Sequence, residues 1–360
     1  MNAHRAPQER EGIGSKTRAW APATADVYYA PFGQGMSPSD FLLYSTCVAI
    51  WGSTWLAITF QLGVVPVEVS IAYRFGLAAA LLLIYCVVRG LPLRYCLRDH
   101  LWMVLQGAFL FALNYVLTYH AERFIPSGLA AVGFTAIVFL NIVGTRVFFG
   151  NPIHRPMVAG AILGSVGISL VFWQDLTRFS EGDGSWLGLG LIVGSAAVSS
   201  LGNMIATRNQ KHGLPIVPSN AYGMVYGALL VGGLAGATGK AFSLDLSWSY
   251  VVSLGYLALF GSVVAFGAYL TLLGRIGADR AAYVSVLFPL VALGLSSWVE
   301  HFPWRWTTIV GMAASVAGNL IILRRRPLRL LPQVAREERF ARDSRRSIHG
   351  MDVAPGGTQG

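Results

Sequence analysis

The sequence predicts an all-α integral membrane fold of ten transmembrane helices arranged as two inverted five-helix repeats. Three observations carry that prediction. Of the 360 residues, 54% are apolar and only 12% charged, with a mean hydropathy of +0.55; a soluble domain has roughly twice that share of charge. Ten apolar runs are each long enough to cross a hydrocarbon core of about 30 Å, which takes about 20 helical residues. The text also repeats. Gly128-Leu129-Ala130-Ala131-Val132 opens one run and Asp279-Arg280-Ala281-Ala282-Tyr283 opens another about 150 residues later. Each is followed by a run with two glycines seven apart, Gly160 and Gly167, then Gly311 and Gly318.

The runs in the first half are Phe41–Phe60, Pro66–Val88, His100–Tyr119, Ser127–Phe149 and Arg155–Trp173. In the second half they are Trp186–Arg208, Ile216–Thr238, Ser249–Leu273, Ala281–Val299 and Trp304–Leu323. Short turns rich in Gly and Pro separate them, as at Gly90-Leu91-Pro92, Asn151-Pro152 and His212-Gly213-Leu214-Pro215. The organisation expected is a disordered cytoplasmic tail over 1–40, a first repeat over 41–173, a second over 186–323 and a basic cytoplasmic tail over 324–360. No cleavable signal peptide is apparent, because the first apolar run begins near Phe41 after a polar leader.

Loop charge sets the orientation. With the N-terminus inside, the inner loops carry Arg89, Arg94, Arg98, Arg155, Arg208, Lys211, Arg275 and Arg280, with Arg146 nearby. The outer loops carry only Arg123, Arg178, Lys240 and Arg305, and the acidic connection with Asp175, Glu181 and Asp183 suits the outer face. Both termini are expected in the cytoplasm, in an inner or plasma membrane. Five helices per half then turn the second repeat upside down relative to the first, the inverted symmetry of secondary transporters.

The net charge of +10 sits largely in the two tails, where it orients spans and meets anionic lipid rather than nucleic acid. Cys47, Cys86 and Cys96 have no metal or redox spacing and read as small apolar fillers. No segment has the full Gly-x-x-x-x-Gly-Lys-Ser/Thr spacing (Gly12-Ile13-Gly14-Ser15-Lys16-Thr17 lacks the glycine before its lysine), so no ATP-hydrolysing loop is present. No cofactor is implied. Glycines four apart (Gly160/Gly164, Gly190/Gly194, Gly223/Gly227, Gly232/Gly236) fit close helix packing.

Trp51-Gly52-Ser53-Thr54-Trp55, Arg74-Phe75, Ile125-Pro126-Ser127-Gly128-Leu129-Ala130-Ala131 and Gly277-Ala278-Asp279-Arg280-Ala281-Ala282 occur in order, with Pro289 in the ninth run and Glu300 at its end. Together they resemble the EamA family of the drug/metabolite transporter superfamily, over about Phe41 to Leu323. The resemblance implies ten helices in two inverted repeats, and export or exchange of small metabolites such as amino acids. The first repeat departs from the pattern: its fourth run has no proline and ends Phe149-Gly150-Asn151 without an acid.

Arg74 is the first residue with chemistry to weigh. It lies roughly 12 Å into the core at 1.5 Å per residue, where an arginine costs about 2.5–3.5 kcal/mol. It reads as a clamp for a solute carboxylate or phosphate, or as a structural arginine packed on carbonyls and neighbouring helices. Trp51 and Trp55 wall a cavity or face lipid. Asn114, Tyr115, Asn141, Asn203, Tyr222, Tyr226 and Tyr269 are intramembrane polar residues; Tyr222 and Tyr226, four apart, share a face. They line a solute cavity or bond helix to helix at roughly 0.6–2 kcal/mol each. Glu300, with Pro289, is the candidate for gating or proton coupling, against an interfacial charge paired with His301 or Arg305. Glu68 reads as a solvated helix-end carboxylate. His120 and Glu122, two ligands at an exposed turn, are too few for a metal.

The function expected is secondary transport of a small-molecule solute across the lipid bilayer by alternating access, driven by its own gradient or a proton. A nucleotide-sugar-type antiporter is the alternative and calls for a second buried basic residue near Arg74. From another class, a membrane enzyme requires a cluster of His, Asp or Glu at one face. A homodimer and a monomer are both left open.

Overall fold

The computed structural model describes residues 37–150, 153, 155–173, 184–276 and 284–323. Both tails lie outside the described residues, as do the acidic connection with Asp175, Glu181 and Asp183 and the Asp279-Arg280 motif.

Every apolar run is helical over its described residues, and the helices are numbered here as ten rods: α1 (Pro38–Thr59), α2 (Val67–Val88), α3 (Leu97–Ala121), α4 (Ser127–Phe149), α5 (Arg155–Val171), α6 (Ser185–Lys211), α7 (Ile216–Ala237), α8 (248–276), α9 (Val284–Val299) and α10 (Trp306–Leu323). Six of these, α1 to α4, α6 and α8, are long and apolar enough to cross a bilayer by themselves. Their outer faces are hydrocarbon: Ile84, Val87 and Val88 on α2, Val147 and Phe148 on α4, and Leu229 and Leu230 on α7 are exposed. A patch of that extent is unfavourable in water and suits lipid. Local signals start the rods. Ser37 caps α1 by accepting the Asp40 amide at 3.1 Å, ahead of Pro38 in the first turn, where a missing N–H costs nothing.

α5 packs on α10 and α2 on α7; α1 packs against α8 and α9, α6 against α3 and α4; α3 packs on α7 and α8 on α2. Exchanging the first five helices for the last five leaves this set of pairs unchanged. Glycines allow the closest approaches. On α5 and α10, Gly167 faces Gly311 and Gly160 faces Gly318, so a Cβ at Gly167 would stand only 2.5 Å from the Gly311 carbonyl oxygen. The seven-residue spacing in both halves thus marks two crossing points of one antiparallel pair.

Four rods are irregular where they pass the centre. α3 contains a π-helical segment, Ala108–Leu113, and α8 contains another, Leu257–Val264; wide turns of this kind concentrate at functional sites. α4 breaks at Thr135 and Ala136 without a proline. There the chain tightens into three-residue turns, Thr135 N to Val132 O at 3.0 Å and Ala136 N to Gly133 O at 3.2 Å, and the Thr135 hydroxyl also donates to Val132 O at 2.7 Å. α9 carries Pro289 in its interior, which removes the bond to the carbonyl of Ser285 four residues earlier.

Candidate functional site

The irregular segments surround one cavity of about 900 Å3, mouth included, lined by α1, α2, α3 and α4 of the first half and α6, α8 and α9 of the second. Helix α1 supplies Trp51 and Trp55, four residues apart and therefore on one face. Trp51 sits edge-on to Phe266 (5.3 Å) and tilted on Tyr269 (5.0 Å), both from α8. Trp55 meets Phe134 of α4 (5.4 Å) and Phe288 of α9 (5.9 Å). Both indoles wall the cavity rather than face lipid.

Arg74 enters from α2 and is 1% exposed. Its Nε donates to Ser262 Oγ at 3.2 Å and its Nη1 to the Tyr119 hydroxyl at 3.3 Å. The guanidinium lies 4.6 Å from the Tyr115 ring centre and 5.2 Å from that of Phe75. The π-helical turn of α8 builds this seat. Ser262 returns its own proton to the Leu257 carbonyl five residues back, at 3.0 Å, and the Gly261 carbonyl accepts the Trp51 indole N–H at 3.3 Å. Among the described residues no carboxylate stands within ion-pair distance of Arg74. A guanidinium has five N–H donors, and among the described residues two of them have partners, so the remainder can serve a ligand in the cavity that Arg74 lines.

A polar seam from α3 and α6 forms another wall. Asn114 Nδ2 donates to Ser199 Oγ at 2.8 Å, while Ser195 and Thr118 share a 2.7 Å bond and Ser195 donates to the Asn114 carbonyl at 2.8 Å. The Asn114 side-chain oxygen is buried without a hydrogen-bond partner among the described residues. Asn203 of α6 donates to Asn141 of α4 at 3.4 Å. Beyond Leu110, Asn203, Phe266 and Tyr269 a second cavity of about 390 Å3 continues past Gln106, Asn209, Ser219 and Asn220. Gln106 ties that group together, donating to Asn220 at 2.7 Å and accepting from Asn209 at 2.9 Å.

The cavity thus gathers Arg74, Trp51, Trp55, Asn114, Tyr115, Asn141, Asn203 and Tyr269. Tyr222 and Tyr226 lie apart from it. Their hydroxyls bond the Leu93 carbonyl (2.8 Å) and His100 Nδ1 (2.7 Å) at the end of the bundle where α2 runs into α3; the shared face points to α3, not inward. Polar residues that the sequence reading did not count as site candidates join the lining: Thr54, Thr118, Ser199 and Ser285. Thr118 lies one turn beyond Asn114, and Ser199 one turn before Asn203, so spacing alone could have found both.

Of the other candidates, the acids sit at the opposite end of the bundle, whereas Pro289 follows Phe288 of the cavity wall. Pro289 is buried within α9. The Glu300 carboxylate, expected against His301 or Arg305, pairs with neither among the described residues; it caps α4 instead, accepting from the Ser127 amide (3.2 Å) and the Ser127 hydroxyl. An acid there satisfies open N–H groups and the positive end of the helix dipole. Glu68 approaches His120 Nε2 at 3.4 Å. Glu122, expected at an exposed turn, is 7% exposed and has no hydrogen-bond partner at either carboxylate oxygen among the described residues. Burial first, and then the neighbouring charge of Glu300, push its carboxyl well above the usual carboxylate range, while Arg74 pulls the other way.

Comparison with known proteins accords with this arrangement. The profile of the EamA-like transporter family matches residues 39–173 and again 186–324. A probable amino-acid metabolite efflux pump of Escherichia coli K12 is 27% identical over 274 residues, 72% of this chain and 86% of that protein. Protein PagO of Salmonella typhimurium is 23% identical over 72% of this chain and 85% of its own length, and the uncharacterized inner membrane transporter YedA of Escherichia coli K12 is 28% identical over 69% and 78%. A crystal structure covering 79% of this chain, 96% of its own, shares the fold at a TM-score of 0.60 and 17% identity. Two family matches spanning most of the chain, several membrane-crossing helices and a central cavity shared by both halves lead to one assignment: this multi-pass membrane protein belongs to the EamA-like transporter family.

Proposed function

We propose that the protein is a secondary transporter that exports or exchanges a small carboxylate-bearing metabolite, an amino acid or a close relative, by alternating access in the cell's inner or plasma membrane. The observation that carries this reading is Arg74: a buried cation without a carboxylate partner, facing a cavity shared by both halves. A guanidinium keeps its charge and recognises a carboxylate through two parallel bonds. The unpartnered Asn114 oxygen on the same cavity suits an ammonium donor, and the indoles of Trp51 and Trp55 suit a small apolar side chain. The name of the Escherichia coli relative, an amino-acid metabolite efflux pump, agrees.

All ten rods cross the membrane in this reading, as two inverted five-helix units over 41–173 and 186–323, with both termini in the cytoplasm. Support comes from helix pairs that survive exchange of the halves, from π-helical segments in the third helix of each half, and from interruptions in the fourth. The double family match supports the same division. Interrupted helices at the midplane site are a recurring transporter device. Against a nucleotide-sugar carrier, the cavity lining described here contains no second Lys or Arg near Arg74.

The test is efflux from liposomes loaded with a mixture of amino acids and related carboxylates, read by mass spectrometry. The wild-type protein should release a defined subset, and Arg74→Met should release none of it. Release of nothing by the wild-type protein, or equal release by both, would overturn the reading.

A further inference from the structure

Glu122 is the group that the transport reading leaves unused. It ends α3, one turn beyond Tyr119, whose hydroxyl holds Arg74 Nη1. A fully ionised carboxylate with no hydrogen bond is costly in such a place, so the side chain needs either a proton or a counter-charge. The charged and titratable groups around it are few. Helix α2 brings Arg74, and also Glu68, which is engaged by His120 of α3. Helix α3 adds Tyr119 itself, and α9 brings Glu300, already seated on Ser127. The turn of α6 that covers Ala121 to Ile125 does so with Gly188, and Arg123 points outward, exposed.

We propose that Glu122 is a proton-binding site linked to the Arg74 cavity, so that a solute carboxylate seated on Arg74 is accompanied by a proton on Glu122. The inference rests on the transport reading in taking Arg74 as the carboxylate clamp. Its logic is electrostatic. Among the described residues the guanidinium is the neighbour that favours ionised Glu122; burial and the Glu300 carboxylate both oppose it. A carboxylate on Arg74 cancels the favourable charge, leaving the two opposing effects unbalanced, and Glu122 takes up a proton from water. By reciprocity the protonated Glu122 leaves Arg74 without a counter-charge and strengthens its hold on a carboxylate. Anion and proton therefore bind together, the moving load stays closer to neutral, and carboxylate affinity rises as pH falls.

The experiment is infrared difference spectroscopy on the purified full-length chain in phosphatidylethanolamine/phosphatidylglycerol nanodiscs, titrated with pH. The C=O stretch of a protonated carboxylic acid, assigned by its loss in Glu122→Gln, reports the site without any solute. In the wild-type protein its midpoint should lie above the usual carboxylate range. Arg74→Gln imitates a neutralised clamp and should move the midpoint up by about one pH unit or more, whereas Arg74→Lys should leave it near the wild-type value and shows that substitution alone is not the cause. A band that disappears in the usual carboxylate range, or a midpoint indifferent to Arg74→Gln, overturns the inference. Liposome efflux separates the two claims. If Arg74→Met stops efflux but Glu122 ignores Arg74, the proton link fails and transport stands. If Glu122 responds to Arg74 but no amino acid moves, the proton site stands and the cargo assignment fails.

Discussion

Replacing Gly261 by alanine puts a methyl group 2.8 Å from Thr54 Cγ2 and 3.2 Å from Arg74 Nη2. Neither neighbour yields easily. Thr54 is a β-branched, buried side chain whose hydroxyl is tied to the Trp51 carbonyl at 2.9 Å, and the guanidinium is held between Ser262 and Tyr119. Overpacking of this kind costs about 1–3 kcal/mol, against up to about 1 kcal/mol gained when alanine replaces glycine in a helix. The net expectation is a loss of roughly 1 kcal/mol, with the Arg74 head displaced from its seat. The same rod provides the controls. A Cβ at Gly255 or at Gly267 meets nothing within 4 Å, so alanine there should stabilise by about 0.5–1 kcal/mol. Thermal unfolding in nanodiscs, followed by tryptophan fluorescence, should rank both control variants above the wild-type protein and Gly261→Ala below it. Efflux from liposomes should fall several-fold for Gly261→Ala alone. If Gly261→Ala melts with the control variants and transports normally, the seat described for Arg74 is wrong.

Arg74→Met exchanges two hydrogen bonds to a charged group, about 1.5–3 kcal/mol each, for relief of an intramembrane charge of about 2.5–3.5 kcal/mol. Folded protein should therefore persist, measured by size exclusion, while solute binding falls at least about 30-fold for the roughly 2 kcal/mol of a broken charge pair; failure to fold would favour the structural reading of this arginine. His301 closes α9 at a left-handed φ of 54° with the Phe302 amide bonded to Ser296 O at 3.3 Å, a Schellman end that favours glycine. His301→Gly should raise unfolding stability by about 1 kcal/mol, and a loss would contradict that geometry. Tyr226→Phe removes the His100 bond outside the cavity and should cost about 0.5–1.5 kcal/mol of stability with an unchanged profile of released solutes. Because the folded Glu122 carboxyl is raised, the folded chain holds more protons than the unfolded one above the usual carboxylate pKa. Stability should therefore fall as pH rises through that window, and Glu122→Gln should flatten the slope.

Much of the fold was legible because a bilayer imposes a length on apolar helices, and each predicted run is helical over its described residues, six of them long and apolar enough to cross. Arg74 was legible for a related reason: one charge in an otherwise apolar stretch stands out, and its cost demands a use. Residue partners were another matter. The spacing of Tyr222 and Tyr226 gives a shared face but not its direction, and α3 with His100, not the cavity, lies opposite. Glu122 occupies a turn, which in sequence suggests exposure; only the packing of Gly188 and the approach of α9 show it buried. The π-helical turn that offers Ser262 to Arg74 has no compositional mark, since wide turns depend on how neighbouring rods close around them. The break in α4 was hidden as well, because no proline marks Thr135 and Ala136.

The most direct test of a carboxylate exporter built on Arg74 is a comparison of growth media. Cells producing the wild-type protein and cells producing an equal membrane amount of Arg74→Met would be profiled by mass spectrometry. The account predicts that one or a few amino acids or related carboxylates accumulate outside only with the wild-type protein. Accumulation of the same solutes with both proteins, or of solutes bearing no carboxylate, would contradict it.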